Sequence, residues 1–239
     1  MYKYVFLIIF AISFNLNAQV TTTIFPDGSA FKEFPFLNQI HNEEIPLYTM
    51  PSFNLDSIIH KERELDKKGV GRPFRFGYDF DVSYEMEHGR WRKVGDKNIW
   101  NIRFKSDGAY TLNFRMSNLK LNDKSELYIY NSNGTFIYGA VTYKQNSTNE
   151  FSSIGTDLIA GEEAIIQIIE PKAFMQSSTI RITKIVHGFE NHYKEILHSN
   201  KKEGDNFQAI LTCYNDVMCY SAFENLSRGV VLTMKNDSY

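Results

Sequence analysis

Only two cysteines occur in the 239 residues, Cys213 and Cys219, and both lie close to the C-terminal end. Everything before them is held by packing and hydrogen bonds, without disulfide staples. Neither sign of charge prevails. Lysine plus arginine total 26 against 28 acidic residues, a net charge of −2, so the basic footprint of a nucleic-acid binder is missing. Apolar runs are short of the roughly 20 residues that span a bilayer. No Gly-Asp-Ser-Gly element occurs, and none of the histidines (His41, His60, His88, His187, His192, His198) stands in a trypsin-type motif or a nucleophile elbow.

What the chain does have begins with an export signal in form. Lys3 precedes the apolar run Val5 to Ile12, extended by Phe14, and Ala18 supplies a small residue before Gln19. Residues 1–18 are therefore expected to be a signal peptide cleaved after Ala18, giving a protein that is secreted or held at the cell surface, with no membrane association after cleavage. In that setting Cys213 and Cys219 are disulfide candidates rather than metal thiolates. They could bridge each other around a short loop or each reach another partner.

About 220 residues remain, enough for a substantial core. Nineteen phenylalanines and 14 tyrosines favour ordered β-structure. Residues 19–73 form an extended lead-in, with four of the six prolines between Thr21 and Pro51, a stretch expected to drape over the later domain. Asn54 or Ser52 caps a short helix there, running to about Lys68, with Leu55, Ile58, Ile59, Glu62 and Leu65 along one face. From Phe74 the period becomes two. Phe76, Tyr78, Phe80 and Val82 form one inward row; Trp100, Ile102 and Phe104 another; Tyr110, Leu112, Phe114 and Met116 a third. Asn131-Ser132-Asn133-Gly134 between two apolar runs predicts a hairpin. Ile165, Ile166, Ile168 and Ile169 are apolar on both faces, as in a central strand covered twice. The apolar phase slips before Ile185, as a bulge requires. About eight short strands over residues 74–190 indicate an all-β antiparallel sandwich of jelly-roll type. Residues 191–211 are a polar linker, and 212–239 open a new segment.

Some polar and aromatic groups invite a chemical reading. Asp79 and Asp81 share a strand face, a beginning of a calcium site, although period-two alternation already places them on a solvent face. His187, His192 and His198 suggest a metal cluster, but they run from a strand end into the linker, where a structural histidine fits better. Trp91 and Trp100 could form a sugar platform, yet alternating aromatics in a sandwich belong to cores and cross-strand pairs. Asn133, Asn146, Asn225 and Asn236 open glycosylation sequons by letter only. No cofactor, metal or catalytic residue is assigned.

Several elements recur in a familiar order: Gly89-Arg90-Trp91, Asn98-Ile99-Trp100, Gly108-Ala109, Leu127 to Tyr130, Gly139, Gly161-Glu162, Ile166 to Glu170 and Val186-His187-Gly188-Phe189. Cys213-x-Asn215-Asp216-Val217-x-Cys219 and Arg228-Gly229-Val230-Val231 follow. This series, over roughly residues 70–235, resembles the pro-region and mature N-terminus of secreted lysyl-endopeptidase-like serine proteases of the trypsin class. In that family the catalytic His, Asp and Ser lie farther downstream. The resemblance therefore implies a pro-region with the first piece of a protease domain, cut off before the triad and inactive by itself. It implies a downstream protease domain as partner and processing within 191–211, at Lys194, Lys201 or Lys202. The competing expectation is a secreted sandwich module that binds glycan or protein.

Overall fold

The computed structural model describes residues 20, 22–68, 75–143, 153–174 and 176–191. Among them two sheets pack face to face as an all-β sandwich. The first sheet is built on β5 (Lys97–Lys105), β7 (Glu126–Asn131), β8 (Phe136–Thr142) and β11 (Glu163–Pro171), in the order β8-β7-β11-β5. Two three-residue strands close its edges, β1 (Thr22–Ile24) on β8 and β2 (Leu47–Thr49) running parallel to β5. The strand β4 (Arg90–Val94) shares that β5 edge, alongside Lys97–Asn101. The second sheet places β12 (Thr179–Gly188) between β3 (Gly77–Tyr84) and β6 (Thr111–Lys120). The two-residue strands β9 (Ile154–Gly155) and β10 (Ile159–Ala160) pair along the outer edge of β6. The strands beyond the expected eight are mostly such short edge pieces, too brief to show a period.

The inward rows read from the sequence meet in the interior, except that Phe76, just before β3, packs with Leu158 and Val186 in a separate cluster. Trp100, Ile102 and Phe104 face Leu112, Phe114 and Met116, and the Phe104 and Phe114 rings lie 5.7 Å apart across the two sheets. Tyr110 does not head its row: it lies just before β6 and stays half exposed, its N–H on the Gly188 carbonyl. The β7–β8 hairpin turns at Asn131, whose side-chain oxygen accepts the N–H groups of Thr135 and Phe136. The register of β12 shifts between Ile182 and Lys184, the bulge that the broken apolar phase requires.

Strand β11 has two apolar faces because two layers cover it. Ala164, Ile166 and Ile168 belong to the inner core. Ile165 and Ile169 point the other way, and with Ile99, Tyr128, Tyr130 and Ile137 they carry Phe25, Leu37, Ile40 and Ile45 of the lead-in. A single turn of helix α1 (Ala30–Glu33) and two 3₁₀ turns, Pro35–Asn38 and Asn42–Glu44, fold that segment over the sheet. This third layer explains why Asn101 and Gln167, polar residues on the sheet's outer face, are buried. Asn101 Nδ2 donates to Gln167 Oε1 at 2.7 Å, and Gln167 Nε2 donates to the Phe36 carbonyl at 3.2 Å. The Tyr130 hydroxyl lies 2.8 Å from the Leu37 carbonyl and 2.9 Å from Gln167 Oε1. Buried polar groups are costly unless paired, so this chain of bonds fixes where the cover sits.

Helix α2 (Leu55–Lys67) starts where Asn54 Oδ1 accepts the Ser57 N–H at 2.9 Å. Its apolar positions are only half buried, as a surface helix requires. Two glycines are fixed by space. A Cβ at Gly89 would run into the Trp100 indole, which donates its N–H to the Met86 carbonyl. Gly139 adopts φ +135° beside the β7–β8 irregularity, where a Cβ would meet the Leu127 carbonyl at 2.9 Å.

The cover layer makes a testable contrast. Leu37→Ala removes a side chain that is 1% exposed and is expected to cost about 2–5 kcal/mol in urea unfolding. Leu47→Ala, at 42% exposure in β2, is expected to change stability by less than about 0.5 kcal/mol.

Candidate functional site at the Ser106 and His187 end

Period two in β12 turns Ile185 and His187 to the interior, past the bulge. Ser106 follows β5 directly, in the opposite sheet. Its N–H is held by the Glu162 carbonyl at 2.8 Å, and its Oγ lies 2.8 Å from His187 Nδ1. Both residues are 2% exposed. The Phe53 ring stands perpendicular to the imidazole at 4.9 Å, and Phe53 itself stacks on Tyr78 at 4.3 Å. Burial pushes the His187 pKa down.

A hydroxyl within reach of an imidazole is the smallest unit of nucleophilic catalysis. Here the chemistry stops at the distance. Among the described residues no carboxylate orients the ring and His187 Nε2 has no hydrogen-bond partner, and the buried Ser106 oxygen is closed to a substrate carbonyl. The pair is a structural tie between residues 81 positions apart. A structural His187 was expected, but with a local partner at the strand exit. No periodicity or motif in the sequence links Ser106 to it.

The other candidates are also structural where the structure describes them. Asp79 and Asp81 flank Lys184, whose Nζ lies 3.0 Å from Asp79 Oδ2 and 3.5 Å from Asp81 Oδ1. An ammonium therefore occupies the place a cation would take. Trp91 and Trp100 are directly opposite in β4 and β5; Trp100 is fully buried and Trp91 packs on the core edge, so they offer no flat aromatic platform. Among the described residues no group of three or more His, Cys, Asp and Glu is placed to hold a metal. Ala18, Lys194, Lys201, Lys202, Cys213, Cys219, His192 and His198 lie outside the described residues, as do Asn146, Asn225 and Asn236. An open groove of about 380 Å³ runs beside β4, lined by Gln39, Ile40, Glu44, Arg92, Lys93 and Val94. Within it Arg92 is held by Glu44 at 2.6 Å.

One polar centre carries no sequence signal for its role. Glu170, at the end of β11, is fully buried. Its Oε1 accepts the N–H groups of Gln176 at 2.5 Å and Ser177 at 3.2 Å. Its Oε2 accepts the Ser178 N–H at 3.0 Å, the Ser178 hydroxyl at 2.7 Å and Asn122 Nδ2 at 3.1 Å. Five donors from two loops converge on one carboxyl group, which fastens the β11–β12 loop to the turn after β6.

No family model matches the chain. Among solved structures it is similar to the insecticidal delta-endotoxin Cry8Ea1 of Bacillus thuringiensis, at a TM-score of 0.20 and 11% identity, over 46% of this chain and 19% of the endotoxin. A likeness of that size carries no argument about either fold or activity.

Glu170→Gln turns an amide NH₂ towards groups that are themselves donors. It is expected to lower unfolding free energy by at least about 2 kcal/mol in urea titration. Asp81→Asn, at a side chain that is 90% exposed, is expected to stay within about 0.5 kcal/mol of the parent.

Proposed function

We propose that the chain is the pro-region of a secreted trypsin-class serine endopeptidase precursor of the lysyl-endopeptidase-like kind, an escort for a protease domain and not itself a catalyst. One observation carries the reading: the described residues behind the resemblance are packing positions, not chemical ones. Gly89 lies under the Trp100 indole, Gly139 turns at positive φ, Glu170 gathers two loops, and His187 ties the sheets. A series of that kind fits a shared scaffold, and a scaffold whose Ser106–His187 pair is sealed from substrate suits a domain that assists and masks an enzyme. The central strand β12 leads straight into the polar segment that holds Lys194, Lys201 and Lys202. A lysine-directed protease would find its own cleavage sites there.

The purified full chain is expected to leave lysyl and arginyl amides intact. Added to the denatured mature domain of a secreted lysyl endopeptidase, it is expected to raise recovered activity several-fold, and to slow the folded enzyme. Turnover blocked by serine-directed inhibitors would overturn the non-catalytic part. No effect on recovery or rate, together with saturable binding to a glycan array, would replace the escort by a binding module. Sequencing the N-terminus of protease matured from a precursor that carries this region is expected to place the cut between Asn191 and Leu211; a cut elsewhere would remove the assigned junction.

A further inference from the structure

The bond between Ser106 and His187 crosses the sandwich at the end where β12 finishes. His187 belongs to β12, opposite Tyr78 of β3 on one side and Leu112 of β6 on the other. Ser106 belongs to the opposite sheet, and Phe53 of the lead-in closes the remaining side. One residue later, Gly188 takes the Tyr110 N–H on its carbonyl, and Phe189 donates to the Phe76 carbonyl. The last residues of the strand thus hang on the same corner as the imidazole.

From β3, Tyr78 shares the ring's face, while Asp79 points to the outer face and holds Lys184. From β6, Leu112 is apolar, and the neighbouring Thr111 and Asn113 alternate to the outer face. At the β5–β6 turn, Lys105 and Asp107 pair with each other at 2.7 Å. Glu162 gives its carboxylate to the Gly108 N–H at 3.0 Å. Phe53 brings no charge. Among the described residues no carboxylate forms an ion pair with the imidazole, and Nε2 has no acceptor.

We propose that His187 is an acid-operated latch of the sandwich. Neutral, the imidazole bonds to Ser106 and fills the corner beneath Phe53. Protonated, it becomes a buried cation without an anion, with a second N–H and nothing to receive it, and the end of β12 with residues 188–191 is released. The direction of the linkage follows. A histidine that resists protonation when folded binds fewer protons in the native than in the unfolded chain. Stability is therefore complete above the ordinary imidazole pKa of about 6.5 and is lost as pH falls below it. The latch belongs to the described sandwich and stands whether or not the chain escorts a protease.

Urea unfolding of the full chain, followed by tryptophan fluorescence at pH 7.5 and 5.5, tests it against His187→Asn. The asparagine places an amide atom near the position of Nδ1 and cannot titrate in this range. The ratio of the wild-type to the variant unfolding constant is expected to rise roughly tenfold between the two pH values. An unchanged ratio would overturn the latch. If the variant does not fold, the His187 Cε1–H resonance of the wild-type protein decides. An imidazole still neutral at pH 5.5 in the folded chain supports the latch; one that titrates at pH 6.5 or above with the fold intact refutes it.

Discussion

Strand β11 is apolar on both faces, and that constraint organises the molecule. A sheet whose middle strand presents isoleucine to each side needs a layer on each side. The second sheet is one layer and the lead-in, residues 25–45, is the other. Neither layer alone removes Ile165 and Ile169 as well as Ile166 and Ile168 from water, and each fully buried side chain of this kind contributes roughly 1.5–3 kcal/mol. The lead-in is therefore part of the folded body, although little in its own sequence would hold it in shape.

Residues with long-range periodicity were legible in advance. The inward rows on β3, β5 and β6, the hairpin at Asn131 to Gly134, the Asn54 cap and the slipped phase of β12 follow from local chemistry, and each is in place apart from Tyr110, which stays half exposed, and Phe76, which packs outside the inner core. The doubly apolar β11 also announced a cover on both sides. That the lead-in drapes over the later domain was expected, and it does; which strands it meets was not legible, because β1 and β2 are three residues long and pair with strands far along the chain. The same gap hid the burial of Asn101 and Gln167, whose place in an alternating pattern reads as solvent-facing. Glu170 and the Ser106–His187 pair were invisible for a related reason: their partners are set by loop placement, on which spacing is silent.

The polar groups sealed inside share a pattern. Gln167 joins the cover to the first sheet, Glu170 joins two loops at one end, and His187 joins the two sheets at the other. Each sits where two separately formed pieces must register. Apolar packing is tolerant of small shifts, whereas a buried donor without its acceptor is not, so these sites fix the assembly that hydrophobic burial drives. Among the described residues these buried polar groups serve alignment.

The pairing of Thr22 with Tyr138 separates partners by more than a hundred positions. On the ribosome the N-terminal segment is made first, and the sheet it covers is not finished until β11. Phe25, Leu37, Ile40 and Ile45 therefore stay uncovered while about half of the polypeptide is still being synthesised, and closure waits for β8 and β11. A nascent chain of this design is a natural client for a chaperone that shields aromatic and aliphatic side chains until translation has passed residue 170.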